Sequence, residues 1–101
     1  MSKNVIETVT FRLNDDVSRD EFVAAAKDMN AWVEARPGFL YRRLSCTEDG
    51  TWIEHIQWTD MDAAKAAAAE ISKAPGNARF LSAINGQTVQ LLHSELEVVI
   101  N

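Results

Sequence analysis

Asp49-Gly50 sits between two runs of strand-forming residues, Phe39–Thr47 and Trp52–Trp58, and constrains the fold more than any other pair in the chain. The dipeptide is a strong signal for a two-residue type I′ hairpin, which needs φ > 0 at both central positions. A turn centred there pairs position i with position 99−i. That register puts Phe39, Tyr41, Arg43, Ser45 and Thr47 on one face, opposite Trp58, Ile56, Glu54 and Trp52. The other face carries Leu40, Arg42, Leu44 and Cys46 opposite Gln57, His55 and Ile53. Both faces mix apolar and polar groups, so both need a cover.

The flanking segments supply one cover. Val5 to Leu13 alternates, with Val5, Glu7, Val9, Phe11 and Leu13 on one side and Ile6, Thr8, Thr10 and Arg12 on the other. That is the period of a strand with one core face. Ser18-Arg19-Asp20-Glu21 has the form of a capping box. The helix it starts lines up Phe22, Ala25, Ala26, Met29, Trp32 and Val33, and Pro37-Gly38 ends it. After the hairpin, Thr59 or Asp60 caps an alanine-rich helix over Met61–Lys73, interrupted at Pro75-Gly76. Asn77–Ile84 adds a short helical piece. Asn85-Gly86 is expected to turn the chain into a last strand, Gln87–Leu96, and Val98-Val99-Ile100 forms an apolar tail.

The order β-α-β-β-α-β predicts an α+β, ferredoxin-like domain spanning residues 1–101. Right-handed crossovers place both helices on one face of a four-stranded antiparallel sheet of order 4-1-3-2. The predicted second face shows Ile6, Leu40, Leu44, Cys46 and Ile53, more apolar surface than a monomer leaves wet. Burying it is worth about 5–10 kcal/mol before association costs. The expectation is a homodimer with its sheets face to face, the apolar tail adding a strand to the partner.

Composition excludes several function classes. Net charge is −5 and the ten basic residues are scattered, so no nucleic-acid partner is expected. Cys46 is alone, which rules out an intrachain disulfide framework. No histidine or cysteine spacing marks a metal site, and no P-loop, dinucleotide fingerprint or nucleophile elbow is present, so neither metal nor cofactor is expected. The N-terminal residues lack a signal-peptide pattern and no long apolar run occurs, which points to a cytoplasmic chain without a membrane partner.

With this order established, the chain resembles the dimeric α+β barrels of the antibiotic-biosynthesis-monooxygenase-like family. The most specific segment is Ile56-Gln57-Trp58 running into Thr59-Asp60-Met61-Asp62-Ala63, after a hairpin opened by Pro37-Gly38-Phe39. Trp58 and Ala63 match the family's habit of ending the third strand on a tryptophan and opening the next helix on a polar cap and an alanine. The resemblance implies a ligand site between helices and sheet. It also implies a cofactor-independent monooxygenase, in which the enolate or phenolate of a small aromatic or polyketide-like substrate delivers an electron to O₂. The chain departs from the family in having no histidine between Met61 and Ile84, and Val9 stands near where the haem-degrading branch uses an asparagine.

The candidate ligand-binding residues are Glu7, Tyr41, Arg43, Glu54 and Trp58, all expected on the helix side. There Trp58 would stack on a planar ligand, Arg43 would hold an anionic oxygen, and Tyr41 or Glu54 would move a proton. His55, Arg43 and Glu54 are the catalytic candidates. Competing roles are structural: Arg43 and Glu54 as a cross-strand ion pair, and both aromatics as core. Glu7 lies between valines on the buried face and must reach Arg43 two strands away, reach solvent at the cleft mouth, or carry an altered pKa. His55 is expected on the opposite face, inside a dimer barrel, where an isomerase or cyclase would use it. His93 shares the last strand with Val89 and Leu91. A non-catalytic ligand-binding or stress-related barrel is the remaining reading.

Overall fold

The computed structural model describes residues 3–101. Strand β1 (Val5–Leu13) leads to helix α1 (Arg19–Asp28), and a break at Met29 separates α1 from the short α2 (Asn30–Glu34). Strands β2 (Phe39–Cys46) and β3 (Trp52–Trp58) form the hairpin, and α3 (Met61–Glu70) follows. Two 3₁₀ turns at 71–73 and 75–77 lead to α4 (Ala78–Ser82) and then β4 (Ile84–Glu95). The helix starts form as their sequences dictate. Ser18 and Glu21 make the reciprocal capping box, and the Asp60 carboxylate accepts from the Ala63 N–H at 2.8 Å.

The sheet is antiparallel with order β2-β3-β1-β4, and the fold is the ferredoxin-like α+β arrangement predicted from the element order. Its helix-side face carries Val5, Phe11, Trp52, Ile56 and Trp58, all buried against Phe22, Met29, Val33, Ala64 and Phe80. Aromatic rings set the centre of this layer. Phe22 stacks on Phe80 with centroids 4.8 Å apart and meets Trp52 edge-on at 4.8 Å.

The hairpin register differs from expectation by one residue. Cys46 pairs with Trp52, Leu44 with Glu54, and Arg43 with His55, so paired positions sum to 98 rather than 99. The loop is longer than a two-residue turn. Thr47 N–H donates to Thr51 O, Gly50 N–H donates to Thr47 O, and Gly50 has φ +89°. No described non-glycine residue has positive φ, so Asp49 does not adopt the conformation a type I′ turn requires. Its carboxylate instead accepts hydrogen bonds from the Thr47 hydroxyl and the Thr51 N–H. This is a three-residue loop closed by a glycine, the next commonest hairpin.

Because strand side chains alternate, a one-residue slip exchanges the faces of β2. Arg42, Leu44 and Cys46 therefore belong to the helix side, the last two packed against the core. Tyr41 and Arg43 move to the open face beside His55. A bulge at Leu40 then lets Phe39 return to pack edge-on against Trp58. The open face accordingly lacks Leu44 and Cys46, which the sequence reading had placed there. Asn85-Gly86 is not a turn before the last strand. It lies inside β4, where Asn85 pairs with Arg12 next to a register shift.

Candidate functional site

A cavity of about 300 Å³ opens between the helices and the β1–β3–β4 part of the sheet. Val9, Phe11, Ile56, Met29, Ile71 and Phe80 form its apolar walls, and Val89 and Leu91 of β4 stand 41% and 47% exposed at its side. The charged side chains lining it are Glu7 and Glu54. They are diagonal neighbours on one sheet face, because Glu7 pairs with Ile56 and Glu54 pairs with Val9. Burying two carboxylates in such surroundings requires a partner for each.

Glu54 is held by Arg42. The guanidinium Nε and Nη2 donate to its two oxygens at 2.8 and 2.9 Å, and both side chains are only 7% exposed. Arg42 Nη1 donates to the Ala26 carbonyl at 2.8 Å and to Asn30 Oδ1 at 2.9 Å. That carbonyl, at the break before α2, also accepts from the Met29 N–H at 3.2 Å. The guanidinium also lies over the Phe80 ring, 5.4 Å from its centroid. Four of the five Arg42 N–H groups are thus committed to the protein. Both Glu54 oxygens are committed to Arg42, so this pair is a brace from β2 and β3 to α1 and α2.

Glu7 is held differently. His93 on β4 lies directly opposite, with Nε2 2.8 Å from Glu7 Oε2. With the proton on Nε2, the imidazole donates and the carboxylate accepts. Among the described residues, Glu7 Oε1 has no hydrogen-bond donor. Burial pushes the Glu7 carboxyl above the usual carboxylate range, opposed by the His93 hydrogen bond and charge and reinforced by the nearby Glu54 charge. The sequence reading looked for its partner on the Arg43 strand. The available signal was the alternation of Val89, Leu91 and His93, which puts the imidazole on the same face as a carboxylate one strand away.

Of the five expected ligand-binding residues, the structure brings Glu7 and Glu54 to the cavity. Trp58 is 1% exposed and sits in the core against Phe39, its indole Nε1 buried without an acceptor among the described residues. Tyr41 and Arg43 are on the open face, with the Arg43 guanidinium 4.9 Å above the Tyr41 ring. His55 lies beside Tyr41 with ring centroids 6.1 Å apart, and its Nε2 is buried without a partner among the described residues. His55 is thus on the face expected for it, with Arg43 rather than Leu44 across from it. Among the described residues no cluster of three His, Cys, Asp or Glu side chains is placed to hold a metal ion. No helix among them is long and apolar enough to cross a membrane.

Neither the protein-family models nor the curated proteins include a match to this chain. Solved structures do match. The chain superposes on SnoaB, a cofactor-independent oxygenase from Streptomyces nogalater, with TM-score 0.78 and 19% identity over 98% of both chains. It is similar to the ActVA-Orf6 monooxygenase of Streptomyces coelicolor, solved with nanaomycin D, with TM-score 0.68 and 19% identity over 98% of this chain and 92% of that one. It also matches a dimeric ferredoxin-like protein of unknown function from Jannaschia sp. CCS1, with TM-score 0.71 and 13% identity over 92% and 99% of the two chains. The structural neighbours are therefore antibiotic-biosynthesis-monooxygenase-like ferredoxin-fold proteins, the group that the hairpin and second-helix residues resemble.

Proposed function

We propose that this chain is a cofactor-independent monooxygenase for a small, uncharged aromatic or polyketide-like substrate, which it binds in the cavity between helices and sheet. The observation that carries this reading is the cavity itself, about 300 Å³, apolar, and with two braced carboxylates as the charged groups lining it among the described residues. The space suits a flat, two- or three-ring ligand. An apolar wall excludes water from a substrate anion, and electron transfer from that anion to O₂ then needs no bound cofactor. Acceptor groups at the wall favour a ligand that donates a hydrogen bond and disfavour carboxylates and phosphates. The oxygenases among the structural neighbours support the same kind of chemistry.

A homodimer belongs to this proposal. The open face carries Ile6, Ile53, Tyr41 and Leu92, the last 67% exposed, and one structural neighbour is described as dimeric. Light scattering behind size exclusion at micromolar concentration checks it, and a protomer mass refutes it. The activity is checked with an oxygen electrode. Naphthoquinols, anthrone and short acyl anions are offered in turn, with binding followed by thermal shift. Oxygen uptake with the phenolic or ketone ligands supports the oxygenase. Stabilisation by those ligands without uptake supports a non-catalytic ligand-binding barrel. Preferential binding of the acyl anions refutes the assignment of the cavity.

A further inference from the structure

We infer that Glu7 is the general base of this cavity, taking an acidic C–H or O–H proton from the substrate, and that His93 is its positioning residue. The inference rests on the oxygenase reading for its substrate class, and on geometry for the residue. Two carboxylates reach the cavity, and only one has an oxygen to spare. Glu54 is occupied at both oxygens by Arg42, whereas Glu7 is held at Oε2 by His93 and has Oε1 without a donor. The brace fixes the carboxylate from behind on the central strand of a sheet, between Val5 and Val9. A base held in this way loses little freedom when a substrate arrives.

The surroundings tune the group for the task. Burial raises the affinity of Glu7 for a proton beyond that of an ordinary carboxylate. The charged and titratable groups facing it are His93 from β4 and Glu54 from β3, itself neutralised by Arg42 from β2. The helices present Met29, Ala68 and Phe80 to the same cavity, none of which titrates.

The proton and electron balance closes with O₂ as the sole oxidant. Glu7 removes one proton from an activated CH₂ of the substrate, leaving a carbanion stabilised as its enolate. The anion passes one electron to O₂, and the resulting radical and superoxide combine to form a C–O bond. The peroxide anion recovers the proton from Glu7, and the hydroperoxide loses water to leave a carbonyl. The sum is CH₂ plus O₂ to C=O plus H₂O, with Glu7 returned to its starting state.

The proton step is separable from the oxygen step, which makes it testable alone. Under strict anaerobiosis in D₂O, 2-tetralone and anthrone, both uncharged ketones with an acidic CH₂, are followed by proton NMR for loss of that signal. Wild-type protein is expected to accelerate exchange, and Glu7→Gln to lower the acceleration by about 10²–10⁴-fold while still binding the ketone. The wild-type exchange rate is expected to fall as pH drops through a value above 4.5, the ordinary value for Glu7. His93→Leu removes the group that lowers that pKa, so the limb moves to higher pH. His93→Gln keeps an N–H donor and falls between. No acceleration by the wild type with either ketone, equal acceleration by Glu7→Gln, or an unmoved limb in His93→Leu overturns the assignment. Oxygen uptake that survives Glu7→Gln removes the base but not the oxygenase. Glu7-dependent exchange without uptake does the reverse.

Discussion

Replacing Arg42 with methionine tests the hairpin register and the brace together. The substitution keeps the length of the stem and deletes the guanidinium. It leaves Glu54 buried at 7% exposure without the two hydrogen bonds of 2.8 and 2.9 Å that hold it. Removing one partner of a buried ion pair costs about 3–5 kcal/mol. The Ala26 carbonyl still accepts from the Met29 N–H, so little is added there. The expected loss is therefore about 4 kcal/mol, a large share of the 5–15 kcal/mol typical of a domain. Arg43→Met removes an exposed side chain whose described contact is the Tyr41 ring, worth under about 1 kcal/mol. The Arg42→Met/Glu54→Met double variant replaces the whole pair with apolar groups and is expected to recover most of the loss. Urea unfolding followed by tryptophan fluorescence, at one fixed protomer concentration, measures all three. Equal losses for Arg42→Met and Arg43→Met refute the register, and a double variant as unstable as Arg42→Met refutes the brace.

Gly38 has φ +82°, and a Cβ there would lie 2.6 Å from both Ala63 Cβ and Thr59 Oγ1, so Gly38→Ala is expected to cost about 2–3 kcal/mol in the same assay. Gly76→Ala meets no atom within 4 Å and is expected to be neutral or slightly stabilising. Ser18→Ala removes the capping box of α1 and costs about 1 kcal/mol. Glu7 has a folded pKa raised above its unfolded one. Its contribution is therefore fully present below the ordinary value of 4.5 and is lost as pH rises through the folded pKa. The stability of Glu7→Gln relative to wild type should improve across that window and level off above it, and a difference independent of pH would contradict this.

Those predictions sort along a line between what the residue pattern carries and what it does not. The strand β1 and both helix caps follow from periodicities of two and 3.6 residues and from hydrogen bonds local to the chain, and the sheet order follows from the element order and the handedness of the crossovers. The face of β2 is a different kind of quantity. It depends on whether the loop at Thr47–Thr51 holds two residues or three, and Asp49-Gly50 is compatible with both. In the longer loop Asp49 keeps a negative φ and its carboxylate accepts from Thr47 and Thr51. That local choice decides the face of the β2 side chains from Tyr41 to Cys46, because the strand period converts one residue into a change of face.

The adjacent arginines Arg42 and Arg43 make this slip consequential for chemistry. In either register one arginine meets Glu54 and the other meets His55, so the composition of the two faces looks the same from sequence. The atoms available to a ligand differ. Placed on the helix side, Arg42 is over-committed: Glu54, Ala26 and Asn30 take four of its five N–H groups, and it has little left for an anion in the cavity. Arg43, which the sequence reading assigns to the cavity, lies on the open face, and the arginine that takes its place on the helix side belongs to the frame; that leaves Glu7 as the cavity carboxylate with an oxygen outside any brace. Arg43 and Tyr41 meanwhile join the unpartnered His55 nitrogen on the open face. Any role of theirs depends on what covers that face, whereas the chemistry proposed for Glu7 and His93 draws on two side chains that meet within one chain.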